Sequence, residues 1–188
     1  MKKIILLFTV VLIISCSIKY VPVKTASVII AEDIAIVENP EFTFAIENRY
    51  WIKEPDNLSD YFTTFFVTIK NKTSQKLELD PSDISLLDQL GNQFDVVSID
   101  YLENMLLPDD FELNIKKRID NTNPDYVEEW RDAKQNLITY SLHFGAILPG
   151  ARKSGYIFYP KLNAKNFECR IIFKDNVIQF VRSDKKTA

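Results

Sequence analysis

The chain has 188 residues, with 23 Lys and Arg against 26 Asp and Glu, a formal charge of −3. A mildly acidic protein with no basic cluster lacks the electrostatic footprint that nucleic-acid binding requires. Thirteen Phe and eight Tyr supply much apolar surface, and the only glycines, Gly91, Gly145, Gly150 and Gly155, leave no Gly-rich phosphate loop.

Lys2 and Lys3 precede an apolar run from Ile4 to Ile14, broken only by Thr9. The run has the length of a signal h-region and falls short of the ~20 apolar residues of a membrane-crossing helix. Lys19, Pro22 and Lys24 do not extend it. It ends in Ile13-Ile14-Ser15-Cys16, which resembles the lipobox of bacterial lipoproteins. The resemblance implies cleavage between Ser15 and Cys16. Ile13 would supply the branched residue three before the cut, and Ser15 the small one. The Cys16 thiol would take a diacylglycerol and become the new N-terminus. About 173 residues would remain, with 21 basic against 26 acidic once Lys2 and Lys3 are gone, or −5. One acyl chain binds marginally at ~0.8 kcal/mol per buried CH₂; the two or three that lipoproteins carry make attachment effectively permanent. The implied location is a bacterial cell envelope, with the membrane as partner. Ser17, where an aspartate favours inner-membrane retention, points to the outer membrane if the source has two.

The mature chain reads as a tether over 16–25 and a β-rich body over 26–182, with a frayed tail over 183–188. Ser27 to Val37 is β-branched and broken at Glu32-Asp33, which predicts two short strands or one bent one. Phe42, Phe44 and Ile46 alternate, as do Phe65, Val67 and Ile69 within Tyr61 to Ile69. A period of two marks half-buried strands. Asn71 to Ser74 reads as a turn, after which Leu77 and Leu79 resume the alternation. Ile84 and Leu86 lead to a loop over Asp88 to Asn92, where Gly91 can take positive φ. Phe94 to Val97 is a further strand. Near the C-terminus, Leu148-Pro149-Gly150 is a turn, Gly155 to Tyr159 a strand, and Phe167 to Phe173 with Val177 to Val181 a hairpin turning at Asp175-Asn176. Short strands at this spacing predict a sandwich or barrel.

The series Phe66-Val67-Thr68-Ile69-Lys70-Asn71, Leu77-Glu78-Leu79, Asp88 to Gly91, and Leu148-Pro149-Gly150 followed by Gly155 and Phe158 is similar to the immunoglobulin-like domains of secreted bacterial lipoproteins of uncharacterised function. In those domains an asparagine closes a central strand, and a Pro-Gly turn precedes a strand entered through glycine. The resemblance covers about half the mature chain. It implies a mainly β, immunoglobulin-like sandwich and carries no activity.

The chain departs from that pattern over about 98–145, which predicts a helical insertion between strands, since a structureless loop of such length is improbable. Tyr101, Leu102, Met105 and Leu106 have helical spacing up to Pro108; residues 110–119 fit helix or strand equally. Asn123 is a good N-cap and Pro124 a good first helical residue. A helix to about Ser141 follows, with Val127, Trp130, Leu137 and Ile138 as its apolar stripe. The stripe should pack on the sandwich; the alternative is a lid or partner-binding face presenting Tyr126, Trp130 and Tyr140.

Few residues suggest chemistry. Cys169 alternates with Phe167, Ile171 and Phe173 and so reads as a core thiol rather than a reactive one. His143 is the single histidine and cannot build a histidine-rich metal site. Asp109-Asp110 and the group Asp120, Asp125, Glu128 and Glu129 lack the central glycine of a calcium loop. Tyr50-Trp51, near Tyr61 and Phe62, reads as core or edge, or else as a stacking surface for sugar or peptide. The sequence names no cofactor, no metal and no catalytic residue. It favours a non-enzymatic binding or assembly module with an envelope protein as partner, over a cell-envelope hydrolase built from carboxylates and His143.

Overall fold

The computed structural model describes residues 19–56, 58–106 and 124–185; the side chains of residues 106, 124–130 and 185 lie outside that description. Ten strands form among the described residues: β1 (Tyr20–Pro22), β2 (Ile29–Ala31), β3 (Ile34–Glu38), β4 (Phe42–Asn48), β5 (Phe62–Asn71), β6 (Ile84–Asp88), β7 (Gln93–Asp95), β8 (Arg152–Pro160), β9 (Glu168–Phe173) and β10 (Asn176–Arg182). They make two antiparallel sheets, β2-β3-β4-β5-β8 and β1-β10-β9-β6-β7. The protein is mainly β and sandwich-like.

Alternation decides what each strand buries. Phe42, Phe44 and Ile46 of β4, Phe65, Val67 and Ile69 of β5, and Ile157 and Tyr159 of β8 face the second sheet. Ile84, Leu86, Cys169, Ile171, Phe173, Ile178 and Phe180 meet them. Phe44 stacks on Phe173 at a centroid separation of 4.0 Å, and Phe42 meets the same ring edge-on at 5.0 Å. Each aromatic buried this way contributes about 1.5–3 kcal/mol over an exposed one. Asn71 closes β5, buried, with both amide groups used. Its Nδ2 donates to the Gln75 and Ile147 carbonyls, and its Oδ1 accepts from Thr73.

The opposite face of β5 and β8 carries a second core. Phe62, Tyr156 and Phe158 are roofed by Trp51, by Leu58 of α1 (Leu58–Tyr61), by Leu102 of α2 (Ile99–Leu106) and by Leu137 of α3 (Pro124–Tyr140). Trp51 meets Tyr156 edge-on at 5.2 Å. Lys134 and Glu103 join α3 to α2 with an ion pair of 3.0 Å.

Several expectations shift. Tyr20–Pro22 is not tether but strand: β1 pairs with β10, and the Tyr20 amide donates to the buried Asn48 side chain at 2.8 Å. The stretch Ser27 to Val37 resolves into two short strands turning at Glu32, whose φ is +56°. Leu77 and Leu79 do not rebuild a strand; Leu77 makes one bridge to Ile147 and Leu79 is buried. The final hairpin turns at Lys174-Asp175, one residue earlier than expected, because Asn176 already pairs with Phe173 and Lys174 takes φ +50°. Among the described side chains of α3, Ala133 and Leu137 are buried while Ile138 is 38% exposed; those of Val127 and Trp130 lie outside the description. The helix closes at Tyr140, next to the expected end at about Ser141, and Leu142 and Ile147 beyond it belong to the inter-sheet core. Residues 110–119 lie outside the described residues.

Candidate functional site

β8 is an edge strand, and exposed edges invite pairing. Two short segments cover it. The Val97 amide donates to the Phe158 carbonyl and the Leu142 amide to the Tyr156 carbonyl, both at 2.8 Å. The first segment then enters α2, where the Ser98 hydroxyl accepts from the Tyr101 amide as an N-cap. The second leaves α3 and dives between the sheets beside Gly155.

Between these segments lies a groove of about 200 Å³, walled by Val96, Val97, Ile99, Leu142, Phe144 and Phe158. Ser98, Asp100, Ser141 and His143 supply its polar atoms. Ser141 is only 2% exposed, and its hydroxyl finds no hydrogen-bond partner among the described residues. A buried hydroxyl left unpaired costs about 1–3 kcal/mol by protein mutational data. His143 is exposed, and its Nε2 lies 2.6 Å from the Ile138 carbonyl oxygen. A carbonyl only accepts, so Nε2 carries the proton. Tyr156, which also lines the groove, donates to the Tyr50 carbonyl at 3.3 Å, and burial raises its pKa.

The residues singled out in the sequence are dispersed. Ser15 and Cys16 lie outside the described residues, as do the side chains of Tyr126 and Trp130 and the carboxylates of Asp109, Asp110, Asp120, Asp125, Glu128 and Glu129. Tyr140 is 39% exposed, with the Lys53 ammonium 4.7 Å from its ring centroid. Trp51 is 2% exposed beneath the helices, so it offers no stacking surface, whereas Tyr61 stands 59% exposed. Cys169 is a buried core thiol, as its alternation indicated, with its pKa raised by burial first and by Glu168 second. No three His, Cys, Asp or Glu side chains gather as a metal site among the described residues. Sequence reading missed Ser141 and the groove. Its walls come from three distant stretches, and a serine after a helix carries no signal of burial.

Fold and groove together define a class: a mainly β, two-sheet protein with a small, mostly apolar groove at a covered sheet edge. No family model matches the chain, and no curated protein matches it. A solved structure described as a functionally unknown protein from Listeria monocytogenes EGD-e is similar at 11% identity and a TM-score of 0.32, over 83% of this chain and 71% of that one.

Proposed function

We propose that the protein is a lipid-anchored cell-envelope protein whose body acts as a non-enzymatic binding or assembly module. The observation that carries the binding reading is the Ser141 hydroxyl, buried and without a partner among the described residues, on a residue that lines an apolar groove. A few polar atoms among apolar walls are what a recognition pocket needs. Its occupant on this reading is an apolar side chain of an envelope protein, with a neighbouring carbonyl accepting from Ser141. The anchor reading rests on Ile13 to Cys16, and Ser17 after the cysteine favours the outer membrane where two membranes exist.

The body is read as an immunoglobulin-like sandwich. Pairing of β5 with β8 in one sheet, and of β6 with both β7 and β9 in the other, supports that reading, as does β10 lying between β9 and β1. The helices α2 and α3 are then an insertion between β7 and β8 that roofs one sheet face.

A photocrosslinker in place of Asp100, at the groove rim, tests the binding reading in intact cells. A captured envelope protein that rebinds the purified chain, and loses binding when Ser141→Phe fills the groove, supports it. No capture above background, or rebinding indifferent to Ser141→Phe, counts against it. The rival is a cell-envelope hydrolase, favoured by one observation, that Asp100 and His143 line the same groove. Hydrolase activity abolished by His143→Ala would install that rival. Cys16→Ala tests the anchor, since labelling by a radioactive fatty acid should vanish.

A further inference from the structure

The anchor reading fixes more than an address, because the link from Cys16 to the folded body is short. Two residues, Ser17 and Ile18, lie between Cys16 and Lys19, and the three steps from one Cα to the next span about 11 Å at most when fully extended. Lys19 and Tyr20 are not free to swing. The Ser183 amide donates to the Lys19 carbonyl at 2.8 Å, Tyr20 pairs with Arg182, and the Tyr20 amide is held by Asn48. An acylated Cys16 therefore brings one particular end of the sandwich against the lipid.

Strand direction says what that end carries. It holds the end of β6 and the start of β9, since Asp88 pairs with Cys169, and the end of β8 with the start of β5, since Pro160 pairs with Phe62. Leu90, in the loop after β6, is 78% exposed, and Phe167, just before β9, is 49% exposed. The two are tied together, because the Gln89 side chain accepts from the Phe167 amide at 3.1 Å. Tyr61, 59% exposed, ends α1 next to β5 of the other sheet at the same end, where its carbonyl accepts from the Lys161 amide. Lys161 and Lys165 are exposed between them, but so are Glu32, Asp60 and Asp184, so the end is electrically mixed. The opposite end has exposed Leu148 and Val177, so exposure alone selects neither end. The length of the link does.

We infer that the end of the sandwich bearing Leu90 and Phe167 seats on the lipid surface, inserting both side chains at the headgroup–acyl boundary with Tyr61 at headgroup level. The inference rests on acylation of Cys16. Apolar side chains and an amphipathic ring are the residues that partition there. The mixed charge makes the seating indifferent to lipid charge. It leaves the helix-roofed face and its groove along the side of the body, reachable by a partner.

The test uses the full-length acylated protein in phosphatidylcholine vesicles, with an environment-sensitive dye on Leu90→Cys, Phe167→Cys or, as the far-end control, Leu148→Cys. Buried Cys169 does not take the label. On vesicle binding the first two dyes should shift to the blue, and bromine-bearing acyl chains should quench them, while the third stays unchanged in both respects. Equal behaviour at all three positions, in protein whose Cys16 carries its acyl chains by mass, overturns the seating and leaves the anchor standing. An unmodified Cys16 by mass overturns the anchor reading and the seating with it.

Discussion

Gly155 lies directly beneath Leu142: a Cβ on the glycine would come within 2.4 Å of the Leu142 amide nitrogen and 2.5 Å of the Ser141 carbonyl carbon. That contact lets the chain pass from the helix-roofed face into the inter-sheet core, and it sets one wall of the groove. The obstacle is backbone, held by the Leu142 to Tyr156 hydrogen bond, so it cannot rotate away as a side chain would. Gly155→Ala should therefore destabilise by about 1–3 kcal/mol, the usual cost of overpacking. A lowered urea midpoint with unchanged m-value is the expected reading. A wild-type midpoint would mean that the segment gives way freely.

Asn71 offers a separate test of the same region. Its side chain donates 2.6 Å to the Gln75 carbonyl and 2.9 Å to the Ile147 carbonyl, and accepts from both the amide and the hydroxyl of Thr73. Asn71→Leu keeps volume and removes all of these partners at a position with 0% exposure. With buried groups orphaned at about 1–3 kcal/mol each, and part of the loss recovered by relaxation, the cost should be about 2–4 kcal/mol. Chemical denaturation measures it, and amide exchange should quicken first at Thr73 and Leu77.

Ser141 predicts the opposite sign. With no partner among the described residues, the hydroxyl contributes nothing by hydrogen bonding and is costly to desolvate, so Ser141→Ala should leave stability unchanged or raise it by up to about 1 kcal/mol. The same variant should weaken partner binding if the groove is the site. A destabilised Ser141→Ala protein would mean the hydroxyl has a structural partner after all.

What could be read from the sequence was the local period. Phe42, Phe44 and Ile46, and likewise Phe65, Val67 and Ile69, alternate because one sheet face is buried, and alternation needs no knowledge of the partner strand. Gly91 in its loop follows from its positive φ of 85° in the same local way. Tyr20–Pro22 escaped because three residues have no period; β10 and the Asn48 side chain, far along the chain, make it a strand. The turn moved to Lys174-Asp175 because a lysine accepts a left-handed backbone where tertiary pairing fixes the register. Ala133 was overlooked on α3, and Ile138 was favoured, because helical spacing cannot tell which flank of a stripe the roofed sheet will cover. Packing of Leu137 on the sandwich follows from the helical stripe, but its partners Trp51, Leu58, Leu102 and Phe158 come from distant places and could not be read.

Alkaline pH should unfold this protein, and the sign follows from three protic groups in the inter-sheet core. Burial raises the Cys169 thiol above its ordinary 9.0, with the Glu168 charge adding to the effect. Burial, then the nearby Cys169, pushes the Tyr20 hydroxyl up from 10.0 to about 12, partly offset by Arg182. Tyr159, 0% exposed and with its hydroxyl unpaired among the described residues, is raised well above 10.0 by burial. All three are acids whose folded values lie above their unfolded ones, so above pH 9.0 the folded state holds protons that the unfolded chain releases. Linkage then makes stability fall as pH rises. It should be fully present below pH 9, decline from there through Cys169, and decline more steeply from pH 10 as the tyrosines join. For Tyr20 the decline continues through about 12. Cys169→Ala should lower stability at neutral pH by about 1 kcal/mol through the small cavity, yet flatten the slope between pH 9 and 10. Urea midpoints across that range measure both effects, and a thiol reagent should modify Cys169 only as the protein unfolds. A midpoint that stays level to pH 10 in the wild type, or a slope unchanged by Cys169→Ala, would show that the thiol ionises as readily in the folded protein as out of it.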